Sequence, residues 1–108
     1  MENHSTEPVA KLSEIPEGQG IAVKVGDEPV ALFNEGGSIY ALEDSCTHAR
    51  IPISGGWVEN GCAHCPWHGA EFDLKTGEAL SRPAVGVLKT YRVRIEGDEI
   101  FIDPQETV

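Results

Sequence analysis

Nearly all the soft, metal-binding side chains of this chain sit in two short stretches. Cys46-Thr-His-Ala-Arg-Ile51 and Cys62-Ala-His-Cys-Pro-Trp-His-Gly69 hold all three cysteines and three of the four histidines. Within them, Cys46, His48, Cys65 and His68 read as Cys-x-His, a gap of 16 residues, then Cys-x-x-His. Each stretch therefore offers one thiolate and one imidazole. A mononuclear zinc ion accepts two cysteines and two histidines, but finger-like sites pair cysteine with cysteine and histidine with histidine, the histidines on a helix. Here the mixed pair occurs twice and no window shows helical periodicity. A binuclear iron–sulfur centre accounts for the mixture, because one iron can take a cysteine from each stretch and the other a histidine from each.

The elements that must hold these stretches read as short β-strands. Ile21–Val25 alternates in period two, turns at Gly26-Asp27 and returns as Pro29–Phe33. Asn34–Gly37 turns the chain into Ser38–Leu42, which ends just before Cys46. Trp57-Val58, the turn Asn60-Gly61 and Cys62–His64 predict a second hairpin, whose return strand delivers Cys65 and His68 to a loop. A third hairpin is expected from Phe72–Leu74 and Glu78–Leu80 around Lys75–Gly77. Leu88–Ile95 alternates as one strand, and Gly97-Asp98 turns it into Glu99–Ile102. Residues 1–8 are polar and unpatterned, which predicts a flexible tail that includes His4. Residues 9–108 are expected to form a single all-β domain, a small antiparallel sandwich or barrel with the metal-type stretches on two loops of a subdomain at about 43–72.

Composition bounds the function. Asp and Glu number 18 against 8 Lys and Arg, a net charge of -10, which repels phosphate backbones and excludes nucleic acid as an expected partner while favouring basic protein surfaces. Nothing resembles a membrane span or a signal peptide, so a cytoplasmic protein without a membrane partner is expected. Three cysteines make an odd count, against a disulfide framework and in keeping with a reducing compartment. Beyond the Cys/His set there is no facial triad, no Ser-His-Asp pattern and no GxGxxG. Electron transfer is expected rather than catalysis.

Cys46-Thr-His48 and Cys65-Pro-Trp-His68-Gly69 resemble the two binding boxes of Rieske proteins, in which two histidines replace two cysteines on one iron. The resemblance runs from about Ile21 to Ile102. It implies one [2Fe-2S] cluster with Cys46, His48, Cys65 and His68 as ligands; Cys62 and His64 are not expected to bind metal. Respiratory Rieske proteins place a serine and a tyrosine where this chain has Ala70 and Phe72, and a disulfide where it has Ile51 and Trp67. Arg50 stands where many relatives have glycine, without replacing a ligand. The missing hydroxyl donors point to a low potential, and the chain resembles the soluble Rieske ferredoxins of bacterial ring-hydroxylating oxygenase systems. That resemblance implies two partners met in turn, an NADH- or NADPH-dependent flavoprotein reductase and a terminal oxygenase, and suits a monomer. Pro52, Ile53, Pro66 and Trp67 are expected to form an apolar docking patch around the cluster, with shielding of the cluster from water as the other reading of Trp67 and the two prolines. Two other readings remain open: a zinc-binding interaction module, and a Rieske-domain subunit serving another acceptor, as in nitrite reductases.

Overall fold

Val30-Ala-Leu-Phe33 is a longer unbroken apolar run than a strand with one buried face requires, and the computed structural model of the chain shows why. The structure describes residues 8–45, 52–65, 70–80 and 86–102. They form β1 (Ala10–Lys11), a single 3-10 turn (Leu12–Glu14), β2 (Gly20–Val25), β3 (Glu28–Glu35), β4 (Ser38–Glu43), β5 (Trp57–Glu59), β6 (Cys62–His64), β7 (Glu71–Asp73), β8 (Thr90–Tyr91), β9 (Val93–Glu96) and β10 (Glu99–Ile102). All named strands pair antiparallel, in three sheets ordered β2-β3-β4-β8, β1-β10-β9 and β5-β6-β7.

The four-stranded sheet lies between the other two, and β3 is buried on both faces. Val30 and Leu32 point into a core shared with Ile100 and Ile102 of β10, whereas Ala31 and Phe33 point into a second core shared with Ala63 and Phe72 of the small sheet. β4 divides in the same way, with Ile39 and Ala41 on one side and Leu42 on the other. Period-two alternation thus sorts a continuous apolar run into two cores.

The antiparallel all-β expectation holds, and four of the turns predicted from Gly and Asn join β2 to β3, β3 to β4, β5 to β6 and β9 to β10. Two local expectations change. The alternating run Leu88–Ile95 is not one strand: it breaks at Arg92, so that β8 pairs with β4 and β9 pairs with β10. The chain changes sheets there, and Tyr91 and Val93 both pack into the core between those sheets. The third hairpin is looser than expected. Residues 78–80 return beside β7 through Asp73 N to Glu78 O (2.9 Å) and Leu80 N to Glu71 O (2.8 Å), but only Phe72 and Ala79 form a bridge. On its other side the limb pairs with residues 86–88, through Ala79 N to Gly86 O (2.9 Å), Leu88 N to Gly77 O (2.8 Å) and a bridge between Glu78 and Val87. β1 is only two residues long, and its strand character comes from pairing with β10 rather than from any pattern of its own.

Candidate metal centre

The small sheet β5-β6-β7 carries the site, and its register follows from the Asn60-Gly61 turn. Both residues have positive φ, 56° and 79°, the geometry of a tight two-residue hairpin. The Glu35 carboxylate accepts from Gly61 N at 2.6 Å and so ties the turn to β3. With this register Val58, Ala63 and Phe72 face the core in one row. Trp57, His64 and Glu71 form a row on the opposite face, and Glu59, Cys62 and Asp73 form another.

Cys65 follows β6 and, by alternation, shares the core side with Ala63; it is fully buried. Its N–H donates to Ala70 O at 2.7 Å, closing the base of the second loop. The base of the first loop is closed by Asp44, whose Oδ1 accepts from Ile53 N at 2.7 Å and from Ser54 N at 2.8 Å. Ile53, Cys65, Ala70 and Phe72 belong to one core cluster, so the two loops spring from a common apolar floor. Cys46, His48 and His68, together with Arg50, Ile51, Pro66 and Trp67, lie outside the described residues. Among the described residues there is no group of three or more His, Cys, Asp or Glu able to hold a metal ion, three of the four candidate ligands falling outside them.

Cys62 and His64 occupy the outer face, away from Cys65. Burial pushes the Cys62 thiol up, with the carboxylates of Glu71, Asp73 and Glu35 adding to the effect. A thiol so placed is a poor thiolate, and Cys62 and Cys65, three apart along extended backbone, point to opposite sides rather than forming a dithiol. The His64 ring stacks on Trp57, centroids 5.1 Å apart and planes 6° apart, and its Nδ1 lies 3.9 Å from Glu71 Oε2.

One docking expectation is overturned. Pro52 is exposed, but Ile53 is completely buried and belongs to the core cluster that contains Cys65. Sequence reasoning passed over two contributors, Asp44 and Trp57. A short acidic side chain two residues before Cys46, at the start of a loop, was the available signal for the first; the second required the cross-strand register with His64.

A search of protein-family models matches residues 5–92 to the Rieske [2Fe-2S] domain. The chain belongs to that family. This Rieske protein is 45% identical over 97 residues, 88% of its own chain and 90% of the relative's, to the 3-phenylpropionate/cinnamic acid dioxygenase ferredoxin subunit of Shigella flexneri. Among solved structures it resembles the ferredoxin of carbazole 1,9a-dioxygenase from Nocardioides aromaticivorans IC177, with TM-score 0.87 and 28% identity, covering 96% of this chain and all of that one. A ferredoxin chain from a complex of reduced oxygenase and oxidised ferredoxin in carbazole 1,9a-dioxygenase matches with TM-score 0.83 and 29% identity over 94% of each chain.

The Rieske protein carries one [2Fe-2S] cluster and acts as an electron-transfer component rather than as the catalytic oxygenase. When bound, the cluster supplies a one-electron couple. The residues present fit it: Cys65 is held on a buried apolar floor, and both loop bases are closed by hydrogen bonds. No helix among the described residues is long and apolar enough to cross a membrane.

Proposed function

We propose that Cys46 and Cys65 bind one iron of the cluster and His48 and His68 the other. On this reading the protein passes single electrons from an NADH- or NADPH-dependent flavoprotein reductase to a terminal aromatic-ring-hydroxylating oxygenase. The observation that carries the assignment is the shared floor: Ile53 at the foot of the first loop packs in the same cluster as Cys65 and Ala70 at the feet of the second. Two loops rooted that way offer one thiolate and one imidazole each to a common centre. The three relatives named above are ferredoxins of dioxygenase systems, which supports the choice of acceptor.

The remaining details follow from chemistry. Ala70 and Phe72 are fully buried beside Cys65 and bring no hydroxyl to the cluster sulfurs, which supports a potential near the lower end of the range of about -150 to +300 mV for such centres. Residues 9–108 form a single Rieske domain after a tail at 1–8, with the cluster-binding subdomain at about 43–72. Val9 N, bonded to Ile100 O at 2.8 Å, supports that boundary. The protein works as a cytoplasmic monomer, where reducing conditions keep the thiolates available and one tip can meet two partners transiently.

The test is a visible spectrum with iron and zinc analysis and a redox titration, on protein purified without oxygen. Iron in [2Fe-2S] stoichiometry with a low potential is expected. Cys46→Ser, His48→Ala, Cys65→Ser and His68→Ala should each lose the cluster, while Cys62→Ser and His64→Gln should keep it. Zinc in place of iron, or retention of the cluster after a ligand substitution, would refute the assignment.

A further inference from the structure

Asp44 is 6% exposed, one of two buried polar or charged residues among those described. Burying a carboxylate costs free energy unless its oxygens are well satisfied. Here a single oxygen, Oδ1, accepts from both Ile53 N and Ser54 N. The backbone of Asp44 is itself anchored, its N–H donating to Pro29 O at 3.1 Å, so the side chain projects from a fixed point where β4 ends. A further bond, Gly56 N to Ile53 O at 2.9 Å, holds the receiving end in a turn. The clamp therefore joins residue 44 to residues 53 and 54 across the whole first loop, which includes Cys46 and His48, and through the Ile53 side chain it reaches the cluster of packed residues that contains Cys65.

The structure assigns Asp44 as a positioning residue: its carboxylate fixes the first loop relative to Cys65 and places a buried negative charge two residues from Cys46. This rests on the ligand reading above. It has two separable consequences. As a hydrogen-bond acceptor, Asp44 satisfies two N–H groups at the base of the loop, which no aliphatic side chain could do. As a charge, it opposes the arrival of an electron at the centre and favours the oxidised form. Asparagine would keep an oxygen for the two N–H groups and lose the charge, whereas alanine would lose both.

The experiment compares wild type, Asp44→Asn and Asp44→Ala as holoproteins, following far-UV circular dichroism, the electron paramagnetic resonance signal of the reduced cluster, loss of visible absorption to an iron chelator, and redox titration. At the solution potential that half-reduces the wild type, Asp44→Asn should be mostly reduced, with its cluster signal retained. Folded Asp44→Ala should lose iron to the chelator about 10- to 100-fold more readily, the cost typical of removing a group that orients metal ligands. A merely structural residue would leave the Asp44→Asn titration on the wild-type curve. That result overturns the assignment, as does a folded Asp44→Ala protein that keeps its iron like wild type. Should Asp44→Ala fail to fold, the Asp44→Asn titration decides alone. An iron-free wild type would instead overturn the ligand reading itself, before any variant is compared.

Discussion

At the scale of single residues, the division of labour between neighbours is set by which side of a strand each one occupies. Cys62 and Cys65 are close in sequence, yet one faces a ring of carboxylates and the other a dry core. Cys62 should therefore react more slowly than a model thiol with iodoacetamide near pH 9, measured by peptide mass spectrometry. The sign follows from its raised pKa, which keeps it protonated above the pH at which an unfolded cysteine ionises, and reaction at the model rate would contradict the half-buried, acid-flanked placement. Ala70 and Phe72 make the second case. Ala70→Ser with Phe72→Tyr should raise the reduction potential, because each hydroxyl can donate to a cluster sulfur and favour the reduced form. A redox titration of the intact, iron-loaded double variant checks this, an unchanged potential counting against it.

Among the elements, the small sheet depends on turns that the rest of the chain grips. Asp73 Oδ1 accepts from Lys75 N at 2.8 Å and Thr76 N at 3.0 Å. These N–H groups, that of Thr76 foremost, hold the Asp73 carboxyl below the usual carboxylate range. A depressed folded-state pKa contributes stability above the unfolded value that disappears as pH falls through the folded one. The turn's contribution is thus expected to be intact at neutral pH and lost on acidification below the unfolded pKa. Urea titrations of wild type and Asp73→Asn at neutral and acid pH should show a stability difference that shrinks at the acid end. Gly77 closes the same turn with φ of 79°, and a Cβ there would meet Leu88 O at 2.2 Å. Gly77→Ala should therefore destabilise the protein by about 1–3 kcal/mol, read from the urea midpoint, since both the backbone conformation and the close crossing resist a side chain.

For the whole molecule, the net charge of -10 is the dominant long-range feature. Acidic side chains also surround the small sheet itself, with Glu59, Glu71 and Asp73 on its outer face and Glu35 beside its turn. Electron delivery to a partner with a basic rim should slow as ionic strength rises, because attraction between exposed charges is screened over about 10 Å at 0.1 M salt. Stopped-flow reduction rates across a salt series check this, and a flat profile would remove electrostatic steering from the account.

Residue order alone disclosed the two boxes, the all-β character and most of the hairpins. Ligand chemistry and tight turns are local matters, written in spacings such as Cys-x-x-His and pairs such as Asn60-Gly61. Tertiary structure decided what depends on distant partners. The run Val30–Phe33 serves two cores because sheets lie on both its faces, and Leu88–Ile95 divides because its two halves find different neighbours. Ile53, read from its sequence as part of an exposed patch, became floor, and Asp44 became a clamp only when the fold brought residues 53 and 54 back to it. Alternation along a strand shows that two faces exist, but burial and hydrogen-bond satisfaction are set by what the rest of the chain places against each of them.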